Sequence, residues 1–228
     1  MTSRNEFLGS ISKALNRTEP ASQPSIPSYD PIPPAEADYN RSETALLRSL
    51  LRNSQDIGIE VTQTSLDRLD NVLHHVLESI DPGIILATDD PFLKKRIDES
   101  ALLKSMTWQF WSKERSAEES LALAKQATVG VAVAQTALAE SGTVMVSSDD
   151  GSRTVTLVPE STIYIIPAGN IEHRLTQGMA LLHQQSQLPA SVHYITGPSA
   201  TSDIELVRVV GVHGPVRVFY IIVNDLRV

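Results

Sequence analysis

Apolar positions along this chain recur at two spacings, three to four residues and two or fewer, and their alternation predicts which segments are helix and which are strand. Phe7, Ile11 and Leu15 fall four apart, placing one apolar stripe on a short amphipathic helix over residues 1–16. From Pro20 to Pro34, "PASQPSIPSYDPIPP" removes backbone donors every few residues and favours extended conformations. Residues 17–40 therefore read as a linker, and residues 41–228 as one globular body. In that body "ETALLRSLLRNS" (43–54), "SLDRLDNVLHHVLESI" (65–80), "DPFLKKRI" (90–97) and "SAEESLALAKQA" (116–127) carry helical spacing. Between them "IGIEVTQ" (57–63), "GIILAT" (83–88) and "TWQFW" (107–111) read as strands. Ser116 and Glu119 have capping-box spacing and fix the start of the fourth helix.

Farther on, three apolar runs at 143–148, 154–159 and 162–167 are separated by short turns. The "DDGS" tetrad at 149–152 predicts a hairpin or meander there. "NIEHRLTQGMALLHQQ" (170–185) reads as a helix capped by Asn170, "SVHYIT" (191–196) as a strand, 204–210 as a helix and "VRVFYIIV" (216–223) as the last strand. Strands separated by helices require crossover connections, so the expected fold is a three-layer α/β arrangement: a mixed, mostly parallel sheet with helices on both faces.

Composition narrows the partners. With 27 acids against 19 bases the formal net charge is −8, and no Lys/Arg cluster interleaves with aromatics, so nucleic acid is not an expected partner. Cysteine is absent, which excludes disulfides, a thiolate nucleophile and an iron–sulfur cluster held by this chain's own cysteines, and leaves other cofactors open. "MTSRNEFLGSISKALNR" has no apolar h-region and no stretch of eighteen apolar residues occurs, so a cytoplasmic protein without a membrane span is expected. The polar face of the first helix is not strongly basic, which favours docking on protein over a membrane surface. His74, His75, His173, His183 and His193 show no zinc-protease spacing, and no metal site is expected. Signatures of dinucleotide, nucleoside triphosphate and serine-hydrolase sites are also missing.

The chemistry concentrates in "ITGPSATSDIELVRVVGVHGP" (195–215). A loop that follows a strand and leads into a helix presents free N–H groups; Gly197 permits close approach, and the hydroxyls of Ser199 and Thr201 suit a carboxylate or phosphate. The alternative is that Ser202 or Asp203 merely caps the helix over Ile204 to Val210. His213 sits on a turn made by Gly211, Gly214 and Pro215, as a proton carrier or as a structural donor. Glu140, within "ALAESGTVMV", has small apolar neighbours that predict partial burial, raised pKa and fitness for proton transfer or nucleophilic attack; the alternative is an acid held by a base or by turn amides. Arg153, just past the "DDG" turn, is suited to a two-point carboxylate clamp or to plain solvation.

Taken together, "AESGT" at 139–143, Arg153 six residues before Pro159, and the segment 195–215 resemble the lactate-utilisation protein C family, the LUD domain. The resemblance implies the fold shared with sugar-phosphate isomerases and coenzyme A transferases. It implies a role in oxidising L-lactate to pyruvate alongside two partner proteins that carry iron–sulfur clusters. Glu140, Ser141, Gly142, Thr143, Arg153, Gly197, Pro198, Ser199, Thr201, Asp203, Glu205, His213 and Gly214 fall on family motif positions. Thr162 stands where the family often has a histidine. Under this reading Glu140 and His213 are the candidates for proton handling, and Ser141, Gly142, Thr143, Arg153, Gly197, Ser199, Thr201, Asp203 and Glu205 for holding a small carboxylate or phosphorylated ligand. A stand-alone transferase or isomerase using Glu140, and a non-catalytic assembly module, are the other two functions compatible with the sequence.

Overall fold

The computed structural model describes residues 3–18, 42–148, 152–202 and 207–226; most of the proline-rich segment, Asp203 and Glu205 lie outside them. Two units are distinct, residues 1–36 and 37–228. The first holds helix α1 (Arg4–Ala14), whose Ser3 and Glu6 form a capping box and whose Phe7, Ile11 and Leu15 are exposed.

In the second unit the elements run α2 (Glu43–Asp56), β1 (Glu60–Thr64), α3 (Leu69–Ile80), β2 (Ile84–Ala87), α4 (Pro91–Glu99), α5 (Ala101–Lys104), β3 (Trp108–Phe110), α6 (Ala117–Gln126) and β4 (Ala127–Val133). They continue with β5 (Thr136–Leu138), β6 (Thr143–Ser148), α7 (Thr154–Leu157), β7 (Ser161–Pro167), β8 (Ile171–Glu172), α8 (Leu175–His183), β9 (Ser191–Ile195), β10 (Ala200–Thr201), β11 (Val209–Val210) and β12 (Arg217–Val223). Helix starts follow local chemistry: Ser42 caps α2, Asp90 accepts from Leu93 N ahead of Pro91 in α4, and the Ser116–Glu119 box opens α6 as its spacing predicts.

Six strands form one all-parallel sheet in the order β1-β12-β7-β4-β2-β3. Strands buried on both faces read as unbroken apolar runs, and every residue of β7 is buried. Side chains alternate across the sheet: Ile163, Ile165, Phe219 and Ile221 pack with Leu69, Leu73 and Leu77 of α3, while Tyr164, Ile166, Tyr220 and Ile222 pack with Leu50 of α2 and with Val144 and Val146 of β6. The α/β fold with a mostly parallel strand set is as expected. Its antiparallel pairs, however, do not mix into the main sheet; they occupy the two-stranded β10-β11 ribbon and a separate four-stranded sheet, β8-β5-β6-β9, which shares the second face with α2, α6 and α7.

Local departures from expectation have physical causes. The β-branched run at 154–159 opens with the single-turn helix α7, in which the Val155, Thr156 and Leu157 N–H groups bond back to Ser152 and Arg153 carbonyls. A hairpin forms between β5 and β6, through Ala139–Gly142, whereas residues 149–151 of "DDGS" lie outside the described residues. Asn170 donates to Gln135 O instead of capping; 171–172 pairs with β5, and helix α8 starts only at Leu175. The helix expected to reach Val210 does not: Val209 and Val210 pair antiparallel with Thr201 and Ala200. No helix among the described residues is long and apolar enough to cross a membrane.

Candidate functional site

Where β9 ends, the chain turns through Gly197, whose φ of +76° lies in the left-handed region that glycine adopts without strain. The next residues fold back on the segment 211–215: Ser199 N donates to Pro215 O at 2.9 Å and Gly211 N to Ser199 O at 2.8 Å. Gly214 packs directly on Ser199, since a Cβ at 214 would lie 3.0 Å from Ser199 Cβ. The two ends of the long motif are thus held side by side. Gly197, Pro198 and Ser199 with His213 and Gly214 form one wall of a cleft of about 370 Å³; Thr156 and Leu157 of α7 and Tyr194 of β9 form the others.

Tyr164 of β7 makes the floor. Its side chain is fully buried, and its hydroxyl has no hydrogen bond of normal geometry among the described residues. Burial pushes this phenol well above its ordinary range, with nearby Thr156 pulling it back slightly. Tyr220 meets it edge-on, ring centroids 5.9 Å apart, and is likewise raised by burial and then by Tyr164. Sequence reasoning missed Tyr164 because "TIYIIP" reads as core. The available signal was a hydroxyl in the middle of an otherwise wholly apolar strand, a group that normally finds a partner when buried.

The cleft lies at the carboxyl end of β9 but at the amino ends of β7 and β12. The loop's amides are not presented by a helix start either, since β10 follows Ser199 and its N–H is already used by Pro215.

Glu140 does not line this cleft. Its side chain is 52 % exposed, its Oε1 lies 3.3 Å from Arg174 Nε, and its N–H donates to His173 O, so the expected burial is not found. The buried neighbour is Ala139, and the turn that follows it carries Glu140 outward. The rest of that turn is a clasp. Gly142 has φ of +67° and sits so close to α2 that a Cβ would lie 3.0 Å from Ser54 N. Asn53 Nδ2 donates to the carbonyls of Ala139 and Glu140, and Tyr220 OH donates to Gly142 O at 2.9 Å. A hydroxyl chain runs from Ser141 to Thr143 to Thr196, each step 2.7 Å, and reaches the rim of the cleft. Ser141, Gly142 and Thr143 therefore connect to the site through Thr196 without lining it.

Arg153 is exposed at the start of α7 and does not line the cleft. His193 has its pKa lowered, first by burial and then by the Arg153 charge. Thr201, in β10, pairs with Val209; it follows the lining residue Ala200 but does not itself line the cleft. Asp203 and Glu205 fall outside the described residues. Thr162, fully buried, donates to Thr156 O at 3.1 Å and so ties α7 to β7 beneath the cleft. Two of the sequence-derived ligand residues, Gly197 and Ser199, thus meet His213 in one place.

Residues 42–223 match the LUD domain. Over nearly its whole length the chain is similar to lactate utilization protein C of Halalkalibacterium halodurans, 34% identical over 233 residues covering 97% of this chain and 98% of the relative. It is similar to the protein of the same description from Macrococcus caseolyticus, 33% identical over 227 residues (97% and 96% covered), and from an Exiguobacterium species, 35% identical over 231 residues (99% and 98% covered). Among solved structures, a DUF162 family protein from Deinococcus radiodurans superposes with a TM-score of 0.60 at 19% identity, covering 81% of this chain and all of that one, a likeness of fold.

Proposed function

The chain belongs to the LUD-domain family, and on that premise we propose that it is a subunit of a cytoplasmic L-lactate utilisation system whose cleft at 197–199 and 213–214 holds a small carboxylate. One observation carries the reading: five residues of a single sequence motif, separated by a hairpin, meet over a buried phenol that makes no hydrogen bond of normal geometry among the described residues. Ser199 Oγ and Tyr164 OH supply neutral donors for a carboxylate, and His213 takes the hydroxyl proton of a 2-hydroxy acid as it becomes a 2-oxo acid. That oxidation also releases the α-hydrogen, as a proton that passes to solvent, and two electrons. A chain without cysteine holds no thiolate-ligated cluster, so the electrons pass to the iron–sulfur partner proteins.

Ligand-induced stabilisation tests this. A carboxylate bound at one hundred times its Kd adds about 2.7 kcal/mol, which for a domain of this size is a rise in Tm of about 5–10 °C. L-Lactate or pyruvate is expected to give that rise, and Ser199→Ala to remove most of it without changing the Tm of the free protein. No rise with any small carboxylate, or the same rise in Ser199→Ala, sinks the assignment of this cleft.

A second role rests on α1, where Phe7, Ile11 and Leu15 are 58%, 41% and 57% exposed. Such a stripe is a docking face for a partner protein. Deleting residues 1–40 is expected to abolish co-purification with the partner proteins while residues 41–228 melt as before. Retained assembly after the deletion rules the tether out.

A further inference from the structure

Parallel sheets bind ligands where neighbouring strands send their connections in opposite directions, just outside the carboxyl ends. Here that point lies between β2 and β4: β2 leads outward to β3, whereas β4 leads the other way, through β5, β6 and α7, to β7. The sequence-derived site residues do not line this place, yet it opens into a crevice of about 250 Å³. Thr88, Asp89 and Asp90 follow β2, Gln135 follows β4, Trp111 follows β3, and Ser147 of β6 closes the far side.

These residues are set by the backbone. Thr88 N donates to Val131 O and Trp111 N to Ala87 O, so both continue the ladder past the strand ends. Gln135 N bonds Met145 O, and its Nε2 donates to Ser147 Oγ at 2.7 Å, bridging the two sheets across the crevice. Asp90 is engaged by Leu93 N at the start of α4, and Asp89 pairs with Lys94, which lies over the Phe110 ring. One group is left over. Trp111 is 6% exposed and forms part of the wall, yet its Nε1–H has no acceptor among the described residues. A buried indole N–H without a partner is costly, and such a group at a cleft is satisfied by what binds there.

We infer that this crevice is a second binding site, for an uncharged, hydroxyl-rich small molecule presenting a vicinal diol, whose oxygen accepts from Trp111 Nε1 and whose hydroxyl donates to Asp89. The lining of hydroxyls and a carboxamide, each both donor and acceptor, matches a polyol. Two carboxylates against one lysine disfavour an anion, which separates this site from the carboxylate cleft. The same chemistry comes from a free monosaccharide or from the ribose of a nucleoside.

The chain contains two tryptophans, so Trp108→Phe leaves Trp111 as the only indole reporter. Titrating that variant with D-ribose, D-glucose, adenosine and ribose 5-phosphate is expected to give a saturable change in emission with a neutral polyol and a weaker one with the phosphate. Adenosine binding more tightly than ribose identifies the nucleoside source, and the reverse the free sugar. In otherwise wild-type protein, Trp111→Phe and Asp89→Asn are each expected to weaken binding about tenfold by thermal shift, while Ser199→Ala leaves it intact. Should Trp111→Phe fail to fold, Asp89→Asn and Ser147→Ala decide the matter. Absence of any response to the neutral polyols, tighter binding of ribose 5-phosphate than ribose, or affinity unmoved by the folded variants overturns the proposal. The Ser199→Ala control keeps this outcome independent of the carboxylate reading.

Discussion

Gly130→Ala is expected to destabilise the protein by about 3 kcal/mol or more, a fall in Tm of about 6–12 °C. Gly130 sits in β4 between Leu86 of β2 and Thr162 of β7, directly beneath α7. A Cβ there would lie 1.8 Å from Val155 O and 3.0 Å from Val155 C. Backbone, not a flexible side-chain end, occupies the space, so the whole of α7 has to lift. That segment cannot lift freely: Val155 is fully buried beside Leu86, Trp111, Ala124 and Ala127, and Thr156 O holds Thr162 Oγ1. Because Thr156 and Leu157 also line the cleft proposed to hold a carboxylate, ligand-induced stabilisation is expected to shrink in the same variant. Gly83→Ala serves as control, since its Cβ would meet only Thr128 side-chain atoms at 3.7 Å and 3.8 Å. Thermal melts of both variants decide the point; a Gly130→Ala protein as stable as Gly83→Ala removes close packing of α7 as the reason for this glycine.

That contact also explains what was legible in the sequence. Unbroken apolar runs mark strands covered on both sides, and 162–167 and 216–223 match β7 and β12 within a residue. The run at 154–159 carries the same β-branched signal but turns helical over Thr154–Leu157, because its environment is set by a glycine some twenty-five residues earlier on another strand. The site divides similarly. The meeting of Ser199 and His213 was readable because one motif carries both. The expected burial of Glu140 fails because apolar neighbours in sequence do not bury a residue at an outward-facing turn, and the alternative of an acid held by a base matches its pair with Arg174. Tyr164 and Trp111 lie in runs that read simply as strand; their buried polar atoms, without a hydrogen bond of normal geometry among the described residues, set them apart only in three dimensions.

Tyr164→Phe is expected to move stability and binding in opposite directions. Removing a buried hydroxyl that makes no hydrogen bond of normal geometry among the described residues leaves folding stability equal or higher, because the folded state no longer carries a poorly satisfied buried donor. Carboxylate affinity in the cleft is expected to fall about 10–100-fold, the worth of a hydrogen bond of about 1.5–3 kcal/mol to a charged group. Burial raises the phenol's pKa, so it stays protonated and able to donate wherever a free tyrosine does, and the loss is the same at pH 6 as at pH 8. The sign at alkaline pH also follows. An unfolded phenol ionises near pH 10, before the buried one, so the wild type loses stability as pH rises past that value and Tyr164→Phe removes one source of the loss. Paired melts and ligand titrations at both lower pH values separate the outcomes. A variant more stable than wild type with undiminished affinity makes Tyr164 a core residue whose hydroxyl the ligand never reaches; a variant that loses affinity while keeping its Tm places the phenol among the groups that hold the carboxylate.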